Sequence, residues 1–325
     1  MKSAFIIFIC NVIIFPRVCL ATPEVKEPDS ALVLYGHSFL SNKNFTMALS
    51  KETKLKVYNF ARGGSSSQEA AFISGGEPGF FSPVGGIIPA DSSVELTPYG
   101  VMSEDGALWP GFYAAVIYVG VKGVLSSKKV NGKIRFFFIR EEPGEDIPVK
   151  KISQAFPVKE TRVNSGTEVQ GAKLQNNTKK IYILWAGRNT AGGNAGFIIR
   201  DIKSIASTIK VGDHFIVMPE FPYTKEVNGS PGRLNLNKVN EEIKNSFPNN
   251  YCLVNGLDAL QNFSAHYNKN NPQDLKDISE GLTPTTLRMD NLHPSDRVKK
   301  GAMLSGVEVN AKFIADCLRG KGWLK

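Results

Sequence analysis

Cysteine is scarce in this chain: four residues among 325, two of them (Cys10 and Cys19) within the first 21 residues. The other two, Cys252 and Cys317, have no further cysteine or histidine at metal-ligand spacing, which argues against a zinc site. In an oxidising compartment they either form one disulfide or stay as two buried thiols. Histidine is equally sparse at four, so few imidazoles compete for the role of a base. No run of arginine and lysine is interleaved with aromatics, and the pattern of a nucleic-acid site is therefore missing. Long hydrophobic runs are lacking too. The apolar stretch 4–15 is too short for a spanning helix and is closed by Pro16 and Arg17. No internal repeat or low-complexity tract is evident.

What is present begins with that same stretch. Lys2 precedes it, and the residues from Val18 to Ala21 end it before Thr22, so 1–21 resembles a secretory signal peptide. The expectation is a secreted or periplasmic protein with no stable membrane insertion once the segment is cleaved. Cleavage would remove Lys2 and Arg17 and lower the net charge from +9 to +7. That excess reads as a solvated basic face, with anionic glycans or membrane surfaces as the alternative partners. A composition of 42% hydrophobic and 21% charged residues fits a folded globular chain.

Along the chain, the apolar run 31–35 reads as a strand ending at Gly36, followed by a helix over 39–49. A second strand, 55–58, leads into a loop and a short helix over 68–73. From Gly75 the style changes. Glycine and proline become frequent, and β-patterned stretches occur at 93–96, 114–125, 133–140 and 150–158, with Asn131-Gly132 marking a tight hairpin. Among the aromatics there, Trp109 beside Pro110 and Gly111 is the one expected at the surface. Alternation of strand and helix resumes with strands 181–185, 215–218 and 251–254 and helices 196–209, 236–247 and 296–318. In the last, Leu304, Val307, Ala311, Ile314 and Leu318 form one apolar stripe. Such alternation predicts a mostly parallel sheet covered on both faces.

Open α/β sheets carry their sites at the carboxyl ends of strands, and four segments fall there or in late loops. Gly36-His37-Ser38 follows the first strand and opens a helix, where a serine is either a plain N-cap or a nucleophile favoured by helix N–H groups. Gly63-Gly64 follows the second strand and either turns the chain or aims an N–H at a ligand. Trp185-Ala-Gly-Arg-Asn189 follows the third, where Asn189 caps a helix or donates to an oxyanion. Asp290-Asn-Leu-His293 precedes the last helix, with an acid and a base three residues apart. A serine nucleophile requires that pair.

Taken together and in order, the four segments resemble the blocks of the SGNH (GDSL-type) hydrolase family: Gly-Asp-Ser, a loop glycine, Gly-x-Asn and Asp-x-x-His. The resemblance covers 31–73 and 181–318. It implies an α/β fold, a three-layer α/β/α unit with a mostly parallel sheet (SGNH/flavodoxin-like), over 22–84 and 180–325, interrupted by a β-rich inserted domain at 85–179. It implies Ser38 as nucleophile, His293 as base and Asp290 as its orienting acid. Ser38, Gly64 and Asn189 would form the oxyanion hole. The function implied is hydrolysis of acyl or acetyl esters, an acylated carbohydrate being one candidate substrate, with no metal or organic cofactor. An O-acyltransferase on the same triad and an inactive carbohydrate-binding protein are the alternatives. One departure stands out: the family's usual aspartate before the nucleophile is His37 here. That position is expected to support the loop, with His293 and not His37 as the base.

Overall fold

In a computed structural model, the described residues are 30–103, 111–158, 178–190 and 193–324. The leader-like segment and Trp109 lie outside them.

Strand β1 (Ser30–Gly36) runs into a short helix α1 (Ser38–Ser41) and then α2 (Lys43–Thr53). The single helix expected over 39–49 is thus broken at Asn42, whose side chain caps α2 by accepting from the Asn44 N–H. Strand β2 (Lys56–Asn59) and helix α3 (Ser67–Ser74) follow.

The next eight strands are β3 (Gly79–Pro83), β4 (Ile87–Ile88), β5 (Val94–Tyr99), β6 (Tyr113–Tyr118), β7 (Val121–Val130), β8 (Lys133–Arg140), β9 (Ile147–Pro148) and β10 (Ser153–Pro157). Six of them close into an antiparallel barrel in the order β10-β3-β5-β8-β7-β6, while β4 pairs with β9. Val130 pairs with Lys133 across Asn131 and Gly132, both at positive φ, the backbone of a two-residue hairpin turn. Phe81, Leu96, Tyr118, Leu125, Phe136 and Phe138 fill the barrel.

The chain then returns through β11 (Lys179–Trp185), α4 (Ala195–Ser207), β12 (His214–Val217), α5 (Pro231–Ser246), α6 (Ala259–Ala265), α7 (Pro272–Ser279) and α8 (Gly306–Gly320). Strands β12, β11, β1 and β2 form a parallel sheet in that order. Alternate residues of β1 enter two cores. Leu32 and Leu34 meet α2 and α8, while Ala31, Val33 and Tyr35 meet side chains of α3, α4 and α5. Burial on both faces explains why β1 reads as an unbroken apolar run and not as an alternating one.

The expected fold class is corrected by this topology. The chain is not a three-layer α/β/α unit. Among the described residues the parallel sheet has four strands, and the largest sheet is the closed six-stranded antiparallel barrel. Two features account for the difference. Hairpin-linked strands pair at both edges until β10 meets β6 and no edge is left. The segment 251–254, expected as a further strand, makes only isolated bridges, Tyr251 with Val217 and Val254 with Leu257. Cys252 is joined there to Cys317 of α8, with Cα atoms 5.9 Å apart. The last helix also starts later than expected, at Gly306, because Ser305 and Glu308 form a reciprocal capping box.

Candidate active site

Ser38 owes its position to the residue two before it. Gly36 sits at φ +151, and a Cβ there would lie 1.9 Å from the Trp185 carbonyl oxygen, so only glycine fits. This close approach lets the His37 N–H donate to that carbonyl at 3.0 Å. The N-cap of α1 is His37, whose Nδ1 accepts from the Phe39 N–H at 3.4 Å. Ser38 is therefore not the cap, and its Oγ lies 2.8 Å from His293 Nε2.

The loop carrying His293 is braced from within. Arg288 and Pro294 form a β-bridge, and the Met289 N–H donates to the His293 carbonyl at 2.7 Å. Beneath it, the buried Arg288 guanidinium donates to Asp277 at 2.7 Å and to Thr285 Oγ1 at 2.9 Å. Asp290 Oδ1 accepts the N–H groups of Leu292 and His293, each at 2.8 Å, and Oδ2 meets His293 Nδ1 at 2.8 Å. Partial burial pushes the Asp290 carboxyl up, but those N–H donors and the imidazole outweigh it and hold it below the usual carboxylate range. An ionised carboxylate only accepts, so Nδ1 bears the hydrogen and Nε2 is left to accept from the serine hydroxyl.

The other two sequence-derived residues lie on loops tied to this one. The Arg62 N–H donates to the Gly36 carbonyl at 3.0 Å, which fastens the Gly64 loop to the turn before Ser38. Gly64 has φ +75, a left-handed conformation that suits glycine. Asn189 Nδ2 donates to the Ser65 carbonyl at 3.2 Å, joining the loop after β11 to the same place. Among the described residues the Ser38 and Gly64 N–H groups have no hydrogen-bond acceptor. His293 contacts both Ser38 and Asp290 directly; Gly64 and Asn189 are linked to them through the ties just described.

Sequence reasoning missed Glu220, just beyond β12. Its Oε2 lies 2.9 Å from His37 Nε2, and both residues are buried. It also missed Arg62, which pairs with Glu69 of α3 at 2.6 Å and donates to the Gly111 carbonyl. Nothing in their spacing signals either role: Glu220 is 183 residues from His37, in a Met-Pro-Glu-Phe stretch with no motif. A pocket of about 350 Å³ adjoins Asp290, lined mainly by polar side chains, among them Thr224, Gln273, Glu280, Asn291 and Lys299.

Comparison with protein-family models finds no match, and comparison with solved structures finds none either. Among curated proteins the chain is similar to the tail spike protein of Salmonella phage epsilon15, with 36% identity over 296 residues. The match takes in 90% of this chain but 27% of the phage protein, so the chain spans about a quarter of that relative's length.

Proposed function

We propose that this chain is a serine esterase of the SGNH type, hydrolysing acyl or acetyl esters carried on a carbohydrate. The observation that carries the reading is the unbroken relay from Ser38 Oγ to His293 to Asp290, with both contacts at 2.8 Å. Each member has the neighbours its role needs. The hydrogen on Nδ1 is committed to Asp290, Nε2 faces the hydroxyl, and the acid is fixed by backbone donors on its other oxygen.

In the reaction, Ser38 Oγ attacks the ester carbonyl carbon while its proton passes to His293 Nε2. The tetrahedral oxyanion takes hydrogen bonds from the Ser38 and Gly64 N–H groups and the Asn189 amide. Loss of one such donor costs about 3 kcal/mol of barrier. Collapse breaks the ester C–O bond, and the departing alcohol takes the proton from His293. Water then attacks the acyl-serine by the same route, releasing the acid and restoring Ser38. The polar pocket beside Asp290 is lined by neither Ser38 nor His293, so it is offered as a subsite for the hydroxyl-rich alcohol part and not as the reacting site. The similarity to part of a phage tail spike protein supports a unit that also occurs within a larger protein.

The test is Ser38→Ala, read as turnover of p-nitrophenyl acetate together with circular dichroism. Loss of turnover and of fluorophosphonate labelling in a folded variant is the expected result. A folded variant that keeps the wild-type rate overturns the reading.

A further inference from the structure

Ser38 is flanked by two histidine–carboxylate pairs, and only one of them reaches its hydroxyl. His293–Asp290 is partly open to solvent, whereas His37 and Glu220 have side-chain exposures of 0% and 2%. Both nitrogens of His37 are occupied, Nδ1 by the Phe39 N–H and Nε2 by Glu220. Since Nδ1 accepts, Nε2 carries the hydrogen that Glu220 receives. His37 thus has no nitrogen left for the nucleophile. Its ring is wedged edge-on against Phe39 and Trp185, with centroids 5.0 and 5.9 Å away.

Glu220 is held as firmly as His37. Its N–H donates to Asn240 Oδ1 at 2.7 Å, and its carbonyl accepts from Asn240 Nδ2 at 2.9 Å. Its second carboxylate oxygen, Oε1, is buried without a hydrogen-bond partner among the described residues. The imidazole is therefore the one group that satisfies this carboxylate, and an unpaired buried carboxylate is costly.

From this geometry we infer that Glu220 is a positioning residue for Ser38, acting through His37, and that positions 37 and 220 form one unit. Glu220 fixes the imidazole so that Nδ1 caps α1, and that cap sets the direction of the Ser38 N–H and Oγ. The inference also explains the departure from the SGNH blocks, on which the reading as an esterase rests. An aspartate at 37 can cap the helix, since its Oδ1 can take the place of Nδ1. It cannot donate to Glu220, and it adds a second buried carboxylate facing the first. Carboxylates at 37 and at 220 are alternatives, not companions.

The experiment is a double-mutant cycle on the full chain with His37→Asp, Glu220→Gln and the pair, reading kcat and KM on p-nitrophenyl acetate and the thermal midpoint. His37→Asp alone is expected to lose about 100-fold in kcat with KM little changed. Adding Glu220→Gln is expected to return kcat to within about tenfold of the wild type, because the amide removes the second charge. If His37→Asp does not fold, a recovered midpoint in the double variant decides the coupling of 37 and 220, and its kcat within about tenfold of the wild type decides the positioning of Ser38. A double variant no better than His37→Asp in kcat and midpoint overturns the inference. So does a single His37→Asp with wild-type kcat. Should the wild type itself show no turnover, the esterase reading fails, and the coupling between 37 and 220 is still decided by the midpoints.

Discussion

Asp290 presents its two oxygens to different donors: Oδ1 to the N–H groups of Leu292 and His293, Oδ2 to His293 Nδ1. The arrangement makes Asp290→Asn a sharp test. The two N–H groups select the amide oxygen for the Oδ1 position, which turns the amide nitrogen toward the imidazole. His293 Nδ1 must then accept, and Nε2 must carry the hydrogen, so it can no longer take the proton of Ser38. We expect kcat to drop about 10³- to 10⁴-fold, with little change in the thermal midpoint, measured on p-nitrophenyl acetate. A loss of less than tenfold would mean that the acid does not set the tautomer.

Asp201 of α4 gives a pH dependence of stability. It is fully buried, accepts from Ser67 Oγ at 2.5 Å and pairs with Arg200, yet burial outweighs both and pushes its carboxyl up to about 6. Between the unfolded value of 3.8 and about 6, the folded chain holds a proton that the unfolded chain has released. This residue therefore lowers stability as pH rises through that window, by on the order of 3 kcal/mol once above it. Asp201→Asn should raise the thermal midpoint at pH 7.5 and change it little near pH 4. Chemical denaturation of both proteins across that range is the check. Equal stability at pH 7.5 would show that Arg200 already compensates the charge.

The bond between Cys252 and Cys317 closes a loop of 65 residues that contains Asp290 and His293. Cross-linking of such a loop stabilises a fold by about 2–5 kcal/mol. Cys252→Ser should lower the thermal midpoint by several degrees, and a reducing agent should do the same to the wild type while leaving the variant unmoved. Turnover at room temperature should persist, because neither sulfur touches the relay.

What could be read from the sequence was what short segments decide. The run at β1, the Asn131-Gly132 turn and the Asp-x-x-His spacing each act within a few residues. The stripe on α8 was visible too, but its start was not placed, although Ser305 and Glu308 carry the capping signal; the apolar spacing drew the helix back to 296. Closure of the barrel was not legible, since the pairing of β10 with β6 joins positions far apart in the chain. The same holds for Glu220. A buried carboxylate is recognised by the partner that folding brings to it, and nothing local announces His37 as that partner.

Helix α3 has one face in each half of the molecule: Ala70 and Ala71 lie in the core beside the parallel sheet, and Phe72 lies in the core of the barrel. The barrel strands therefore do not own their whole interior. Cut out at 79–157, the barrel would lose the ring that packs on Phe112, at a centroid distance of 5.4 Å, and would expose an apolar socket to water. Arg62, two residues before Gly64, grips Glu69 of the same helix and the Gly111 carbonyl. Grafting this barrel onto another fold would thus require transplanting α3 and its preceding loop with it.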